Sequence, residues 1–351
     1  MENGYFTRQE IFSQPEAWTA AIKVFGDTRR DLLDLKPNQR FENIIFTGCG
    51  STYYLSLAAA ALTQEMIGLT CRAFPASELW LYPGSSFTAG KTLLIAVSRS
   101  GETTETLRAC QAFLNGQRGT LLTLSCCGGM PLSKMGTFNL VLPSGQEQSV
   151  AQTRAFSTLY LGTVALACLW AGRDDLFASL SKIPEVGIRL LKTYFSLATE
   201  LGQDAGLDRF YWLGSGPRLG LACELSLKMK EMSLSHSEPF HFMEFRHGPK
   251  SMVASSALTI GLCSSVNGHQ EAAVLNDVKT LGGRVLALGE KGLEAFSRGT
   301  RQEVRFESGL DEAIRNVLYL PVGQLIAFER SLSKGLNPDL PSNLDAVVKL
   351  F

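Results

Sequence analysis

The sequence of 351 residues is 45% hydrophobic and 19% charged, and its 33 Lys and Arg balance 33 Asp and Glu. Without net charge there is no long-range field to hold nucleic acid or an acidic membrane surface, so a small molecule is the expected partner. The eight cysteines form no Cys-x-x-Cys pair and the four histidines no ligand spacing, which argues against a disulfide framework or zinc module and for a cytoplasmic protein with no metal or cofactor.

Residues 1–40 are polar and in part helical, with Trp18, Ile22 and Phe25 at helical spacing beside Pro15, and read as a segment that dresses the first domain. Met1-Glu2-Asn3-Gly4 opens without a basic and an apolar region, so no signal peptide is expected. Four apolar runs, Asn43–Phe46, Thr92–Val97, Thr120–Leu124 and Asn139–Leu142, are bounded by Gly, Ser or Pro. Continuous apolar strands alternating with helices predict a parallel sheet covered on both faces. Leu159 to Gly172 is the longest apolar stretch; it falls short of the roughly 20 residues a bilayer needs and reads as a buried helix. A helical linker is expected over about 173–205. The plan then repeats with strands at Phe210–Leu213, Leu258–Leu262 and Val285–Leu288, and an irregular tail with Pro338 and Pro341 follows Gly335.

The repeat is marked most clearly by Gly48-Cys49-Gly50 and Gly214-Ser215-Gly216, each closing an apolar run ahead of a long helical pattern, with Gly48 and Gly214 separated by 214 − 48 = 166 positions. The fold class read here is α/β, two doubly wound parallel sheets flanked by helices. The expected domains are 41–180 and 195–334, with an N-terminal helical segment over 1–40 and a C-terminal tail over 335–351.

Chemistry concentrates in a few places. Ser98-Arg99-Ser100-Gly101-Glu102-Thr103-Thr104 brings hydroxyls and free N–H groups to a helix N-terminus, which suits a phosphate dianion and equally suits an ordinary helix cap. Gly48-Cys49-Gly50-Ser51-Thr52 ends a strand of the same sheet, and two such turns can surround one anion. It is not a dinucleotide fingerprint, because Ser-Thr-Tyr follows and no third glycine does. Glu224, Lys228 and Glu231 share one helix face at i, i+4 and i+7; a solvated ion-pair stripe explains them as readily as a catalytic set. A histidine in a turn, His247, stands between Phe245-Arg246 and Gly248-Pro249-Lys250. Cys49 reads as a small loop residue and not a nucleophile. His236 and His241 read as lining a cleft or bonding locally, and Glu244 as orienting His247 or standing at a rim.

Five of these segments, in order, resemble the successive motifs of tandem sugar isomerase (SIS) domain proteins: Gly-Cys-Gly-Ser-Thr, Ser-Arg-Ser-Gly-Glu-Thr, Val150-Ala151-Gln152-Thr153-Arg154-Ala155-Phe156, Leu227-Lys228-Met229-Lys230-Glu231 and Phe245-Arg246-His247-Gly248-Pro249. Over nearly its whole length the chain is similar to the isomerase half of glucosamine-6-phosphate synthase and to amino-sugar phosphate deaminase/isomerases. The resemblance implies two tandem SIS domains and a substrate phosphate held by Cys49, Gly50, Ser51, Thr52, Ser98, Arg99, Ser100 and Thr103, with Ala151 and Gln152 as further substrate contacts. It implies Glu231 as the proton-shuttling carboxylate, Lys228 as its companion and His247 as the ring-opening group. In relatives that histidine comes from the neighbouring subunit, so a homodimer with the active site at the subunit interface is expected.

The implied activity is aldose-ketose isomerisation or deamination of an amino-hexose 6-phosphate, with deglycation of fructosyl-amine 6-phosphates and non-enzymatic sugar-phosphate sensing as alternatives. A dinucleotide-dependent oxidoreductase is disfavoured by the missing third glycine and by the absence of an acidic residue ending the second strand, near Phe74 and Pro75. Only some 40 residues precede the first strand, so glutamine hydrolysis is not expected. Two departures from the family pattern stand out. Ala346 stands where the synthase tail has a lysine, with Lys349 three positions later, and Arg99 stands where the synthase loop has Gln, where it is expected to add a bidentate cation for phosphate or carboxylate. Pro217 removes one N–H from the second Gly-x-Gly turn, for which a structural or degenerate role is expected.

Overall fold

The computed structural model describes residues 2–37, 40–290 and 302–350. Among them ten strands form two parallel five-stranded sheets. The first contains β1 (Asn43–Gly48), β2 (Cys71–Pro75), β3 (Thr92–Ser98), β4 (Gly119–Ser125) and β5 (Phe138–Val141) in the order β2-β1-β3-β4-β5. The second contains β6 (Arg209–Leu213), β7 (His236–Phe240), β8 (Ala257–Leu262), β9 (Arg284–Gly289) and β10 (Gln302–Arg305), and its order, β7-β6-β8-β9-β10, repeats that of the first. In each sheet the chain steps from the opening strand to one side and then crosses to the other, so β1 and β3, and likewise β6 and β8, flank a switch point. Ligand crevices of open parallel sheets lie at such points, outside the carboxyl ends of the strands.

Central strands are buried on both faces because helices cover both. All of β1, β3 and β8 is buried, which is why these strands read as unbroken apolar runs. Ile45, Leu94, Leu121 and Phe113 pack together on the first sheet, and Tyr211, Phe242, Leu275 and Val285 on the second. The helix Arg154–Ala171 is long and apolar enough to cross a bilayer by length and composition, yet every residue from Ala155 to Trp170 is buried in the molecule. It carries the helix Gln14–Asp27, whose Trp18 and Phe25 are fully buried, with Trp18 Nε1 donating to Ser157 Oγ at 2.9 Å.

Two strands at sheet edges, β7 and β10, escape the sequence reading, and a third edge strand, β2, is marked there only by its end near Phe74 and Pro75. β2 has a single buried residue, and β10, Gln-Glu-Val-Arg, is polar at three of its four positions, two of them charged, as edges that discourage further pairing often are. β7 holds Pro239, which an edge strand tolerates; His236, read as lining a cleft or bonding locally, is its first residue, and His241, read the same way, follows its end.

The chain groups into two compact units, Ser13–Gln148 with Gln152–Pro184 and Asp345–Phe351, and Met1–Phe12 with Ser149–Ala151 and Glu185–Leu344. Residues 2–12 therefore group with the second sheet, not the first. Asp339, 7% exposed, fixes them: its carboxylate accepts the N–H of Phe6 at 3.2 Å and the N–H and hydroxyl of Thr7 at 2.8 and 2.7 Å.

Candidate functional site

On the first sheet the site begins with two turns at neighbouring strand ends. β1 and β3 pair directly, with Thr47 beside Ala96, so the loops after Gly48 and Ser98 stand side by side. Gly50 is the N-cap of Ser51–Ile67 with φ 55° and ψ −122°, a conformation closed to side chains, and it turns the chain straight from strand into helix. Within this turn the Cys49 N–H donates to Thr52 Oγ1 at 2.9 Å. Ser51 and Thr52 are buried at the first turn of the helix. Burial pushes the Cys49 thiol up to about 11, which keeps it protonated and fits a packing residue rather than a nucleophile.

The second turn is built by its own hydroxyls. Ser98 Oγ accepts the Gly101 N–H at 3.1 Å and lies 3.4 Å from Thr103 Oγ1, while Ser100 Oγ accepts the Glu102 N–H at 3.2 Å. Thr103 is the N-cap of Thr104–Asn115 and makes no side-chain cap bond, so the first amides of that helix are not closed off by Thr103 itself. Arg99, 9% exposed, points elsewhere. Its Nη2 donates to the Ala346 carbonyl at 2.7 Å and its Nη1 lies 3.8 Å from Glu147, whose side chain is completely buried. Glu147 also accepts the N–H and hydroxyl of Thr153, at 2.7 and 3.0 Å, and so caps the helix Arg154–Ala171. Beside it, Gln152 Oε1 is a buried oxygen with no hydrogen-bond partner among the described residues.

On the second sheet the helix Pro217–Ser233 carries a buried ionic ladder. Glu224 and Lys228 are fully buried, and Lys228 Nζ lies 3.4 Å from Glu224 and in a close pair with Glu231, whose side chain is 18% exposed. A solvated stripe would leave all three in water. Here the ammonium is sealed between two carboxylates, and only Glu231 reaches the surface. An ion buried in this way is held at a desolvation cost that surface pairs do not carry. His247 ends the short turn Glu244–Arg246 and is exposed; its ring makes no hydrogen bond among the described residues, either to Glu231 or to Glu244. Ala151 is buried, next to Val150, whose N–H donates to the Asp339 carbonyl at 3.0 Å.

Residues 39–169 match the SIS domain model. The chain is also 26% identical over 341 residues, 97% of its length, to the isomerizing glutamine–fructose-6-phosphate aminotransferase of Methanothermobacter thermautotrophicus. It spans only about half the length of the curated relatives it matches, 56% in that case, and is homologous to their isomerase, C-terminal half. Among solved structures it resembles glucosamine-6-phosphate deaminase from Thermotoga maritima, at a TM-score of 0.79 and 25% identity over 98% of this chain and 99% of that one. The C-terminal domain of glucosamine-fructose-6-phosphate aminotransferase from Francisella tularensis gives 0.85 at 21% identity, covering 96% and 98%. Tagatose-6-phosphate ketose/aldose isomerase from Escherichia coli gives 0.85 at 22%, covering 96% and 95%. The last two likenesses concern the fold.

Within the SIS domain, then, lie the two turns with Cys49, Gly50, Ser51, Thr52, Ser98, Arg99, Ser100 and Thr103, together with Gln152. Glu231, Lys228 and His247 lie beyond the matched residues. Two members of these clusters received no role from the sequence. Glu224 shares the helix face of Lys228 and was visible there as spacing alone. Glu147 carries no motif, and only its burial between Arg99 and Thr153 reveals it.

Proposed function

We propose that the protein is a sugar-phosphate isomerase or deaminase, acting on an amino-hexose 6-phosphate through an enediol or enolamine, and that its second sheet forms a second SIS unit. The buried Glu224–Lys228–Glu231 ladder carries this reading. Moving a carbonyl between C1 and C2 of an opened 6-phosphosugar requires one carboxylate to take a proton from one carbon and return it to the next. Glu231 is the ladder's open end, and a neighbouring ammonium stabilises its carboxylate before it takes the proton and again after it has returned it. The repeated strand order and the match of Gly50 with Gly216 support a second SIS unit.

The turns after β1 and β3 hold the substrate phosphate in this reading, through the amides and hydroxyls of Ser51, Thr52, Ser98, Ser100 and Thr103. Phosphate held away from the reacting carbons supplies positioning energy for the proton transfer. His247 opens the sugar ring. Its exposure, and the absence of a hydrogen bond from its ring among the described residues, support donation of this ring to the site of a second copy in a homodimer. Release of ammonia, rather than transfer from glutamine, is supported by the full-length similarity to a glucosamine-6-phosphate deaminase.

The test is proton NMR in D₂O with glucosamine 6-phosphate, fructose 6-phosphate and a fructosyl-amine 6-phosphate, beside a Glu231→Gln control. Exchange of the C1 or C2 proton with one of them, lost in the control, is expected. Saturable phosphate-dependent shifts with no exchange would instead make the protein a sugar-phosphate sensor.

A further inference from the structure

The second sheet repeats the strand-end turn of the first in detail. Gly216 is the N-cap of Pro217–Ser233 with φ 57° and ψ −135°, against φ 55° and ψ −122° at Gly50. A Cβ on Gly48 would run into Thr52 and one on Gly214 into the backbone of Arg218, so the turns close alike and Arg218 stands where Thr52 does. The neighbouring loops agree too: residues 99–103 join β3 to Thr104–Asn115 and residues 263–267 join β8 to Gly268–Thr280, five residues each. Ser264 and Ser265 thus fall at the positions of Ser100 and Gly101.

What meets these groups differs between the sheets. The Ser264 N–H donates to Glu271 Oε2 at 2.6 Å and the Ser265 N–H to Glu312 Oε2 at 2.7 Å. Arg218 Nη1 donates to Glu312 Oε1 at 2.5 Å and its Nη2 lies 3.9 Å from Glu271. Arg315 Nη2 donates to Glu312 Oε2 at 3.1 Å and to Ser265 Oγ at 2.5 Å. Arg218, Glu271 and Arg315 are 5%, 2% and 4% exposed. Two loop amides and two guanidinium groups, the usual fittings of a phosphate site, converge here on two carboxylates of the same chain.

We propose that Glu312, assisted by Glu271, is a built-in anion that fills the phosphate position of the second sheet, so that each chain takes phosphate through its first sheet only. The comparison rests on the reading of the first-sheet turns as phosphate loops. Two cations face two carboxylates, so no charge is left to attract a dianion, and one entering would bury two further negative charges without partners. Pro217 has already removed one amide from the turn. Glu312 is positioned for this by Asp311, whose side chain caps its four-residue helix by accepting the Ala313 N–H.

The full chain is titrated with inorganic phosphate as wild type, Glu312→Ala, Glu312→Gln, Arg218→Met and Ser98→Ala, with chloride of equal ionic strength as control. Binding equivalents come from calorimetry and stability from the unfolding midpoint. Glu312→Ala is expected to bind one equivalent more than wild type, and its lowered midpoint to rise by several degrees with phosphate but not chloride. Glu312→Gln keeps the side-chain volume and one acceptor oxygen in that position and is expected to gain no equivalent. The proposal is overturned if Glu312→Ala gains none, including failure to fold even in phosphate, or if wild type binds an equivalent that Arg218→Met removes and Ser98→Ala leaves. Zero equivalents in wild type with one in Glu312→Ala would sink the first-sheet reading and leave this one standing.

Discussion

Arg99 Nη2 donates to the carbonyl of Ala346 at 2.7 Å, although 247 positions separate the two residues. The chain end lies along the loop that Arg99 belongs to. Thr104 N–H donates to the Val348 carbonyl at 3.4 Å, Leu350 N–H to Thr104 Oγ1 at 3.2 Å, and Lys349 Nζ lies 3.8 Å from Glu102. The arginine that sequence comparison offered as an extra cation for the substrate is engaged with the tail and with Glu147. Hydrogen bonds to a charged group contribute about 1.5–3 kcal/mol each. Arg99→Gln is therefore expected to speed hydrogen exchange at the Leu350 amide about tenfold or more. Unchanged exchange there would show that the tail is held without Arg99.

The ladder on Pro217–Ser233 separates chemistry from stability. Glu231→Gln leaves Lys228 paired with Glu224, so the fold is expected to hold while catalysed proton exchange falls by roughly 10²- to 10⁴-fold. Lys228→Met strands the fully buried Glu224 carboxylate and is expected to cost about 3–5 kcal/mol in urea unfolding. Equal stability losses in the two variants would contradict this division.

Two glycines of the first turn resist substitution for different reasons. At Gly48 a Cβ would meet the backbone and side chain of Thr52, whereas at Gly50 there is open space and the obstacle is the positive φ. Gly50→Ala is expected to cost about 1–3 kcal/mol of backbone strain. Gly48→Ala must displace the helix start, so its loss is expected to exceed that of Gly50→Ala and to disturb the Cys49 and Thr52 amide shifts in NMR spectra. The reverse order of stability would refute the steric argument.

Glu271 provides a pH signature. Burial raises its carboxyl above the ordinary value of 4.5, with Arg218 and the Ser264 amide pulling back. A carboxyl whose pKa is raised on folding binds its proton more tightly in the native state, so its contribution to stability falls as pH rises from 4.5 through the raised folded value. Glu271→Gln has no proton to lose and is expected to gain on wild type over that interval, measured as the difference in urea midpoints. A difference that stays flat with pH, or that shrinks, would contradict the raised pKa.

The sequence by itself determined the elements whose causes are local. Buried central strands need apolar residues on both faces, so Asn43–Phe46, Thr92–Val97 and Leu258–Leu262 were legible as runs, and the Gly-x-Gly turns announced themselves because only glycine enters their backbone geometry. The edge strands β7 and β10 were not legible and β2 barely so, because each has one partner and little apolar demand, whereas β5, also an edge, showed as the apolar run Asn139–Leu142. The i, i+4, i+7 spacing placed Glu224, Lys228 and Glu231 on one helix face but left open whether water or protein surrounds them; burial of Lys228 is a property of the packed helix and not of the spacing. Only tertiary structure gave Arg99 to the tail, brought Glu147 between two loops, tied residues 4–7 to Asn337 and Asp339, and set Glu312 against Ser265 and Arg218. Each of those pairs lies far apart in the chain or carries no periodic signal, and a charge in a sequence does not say which distant group will neutralise it.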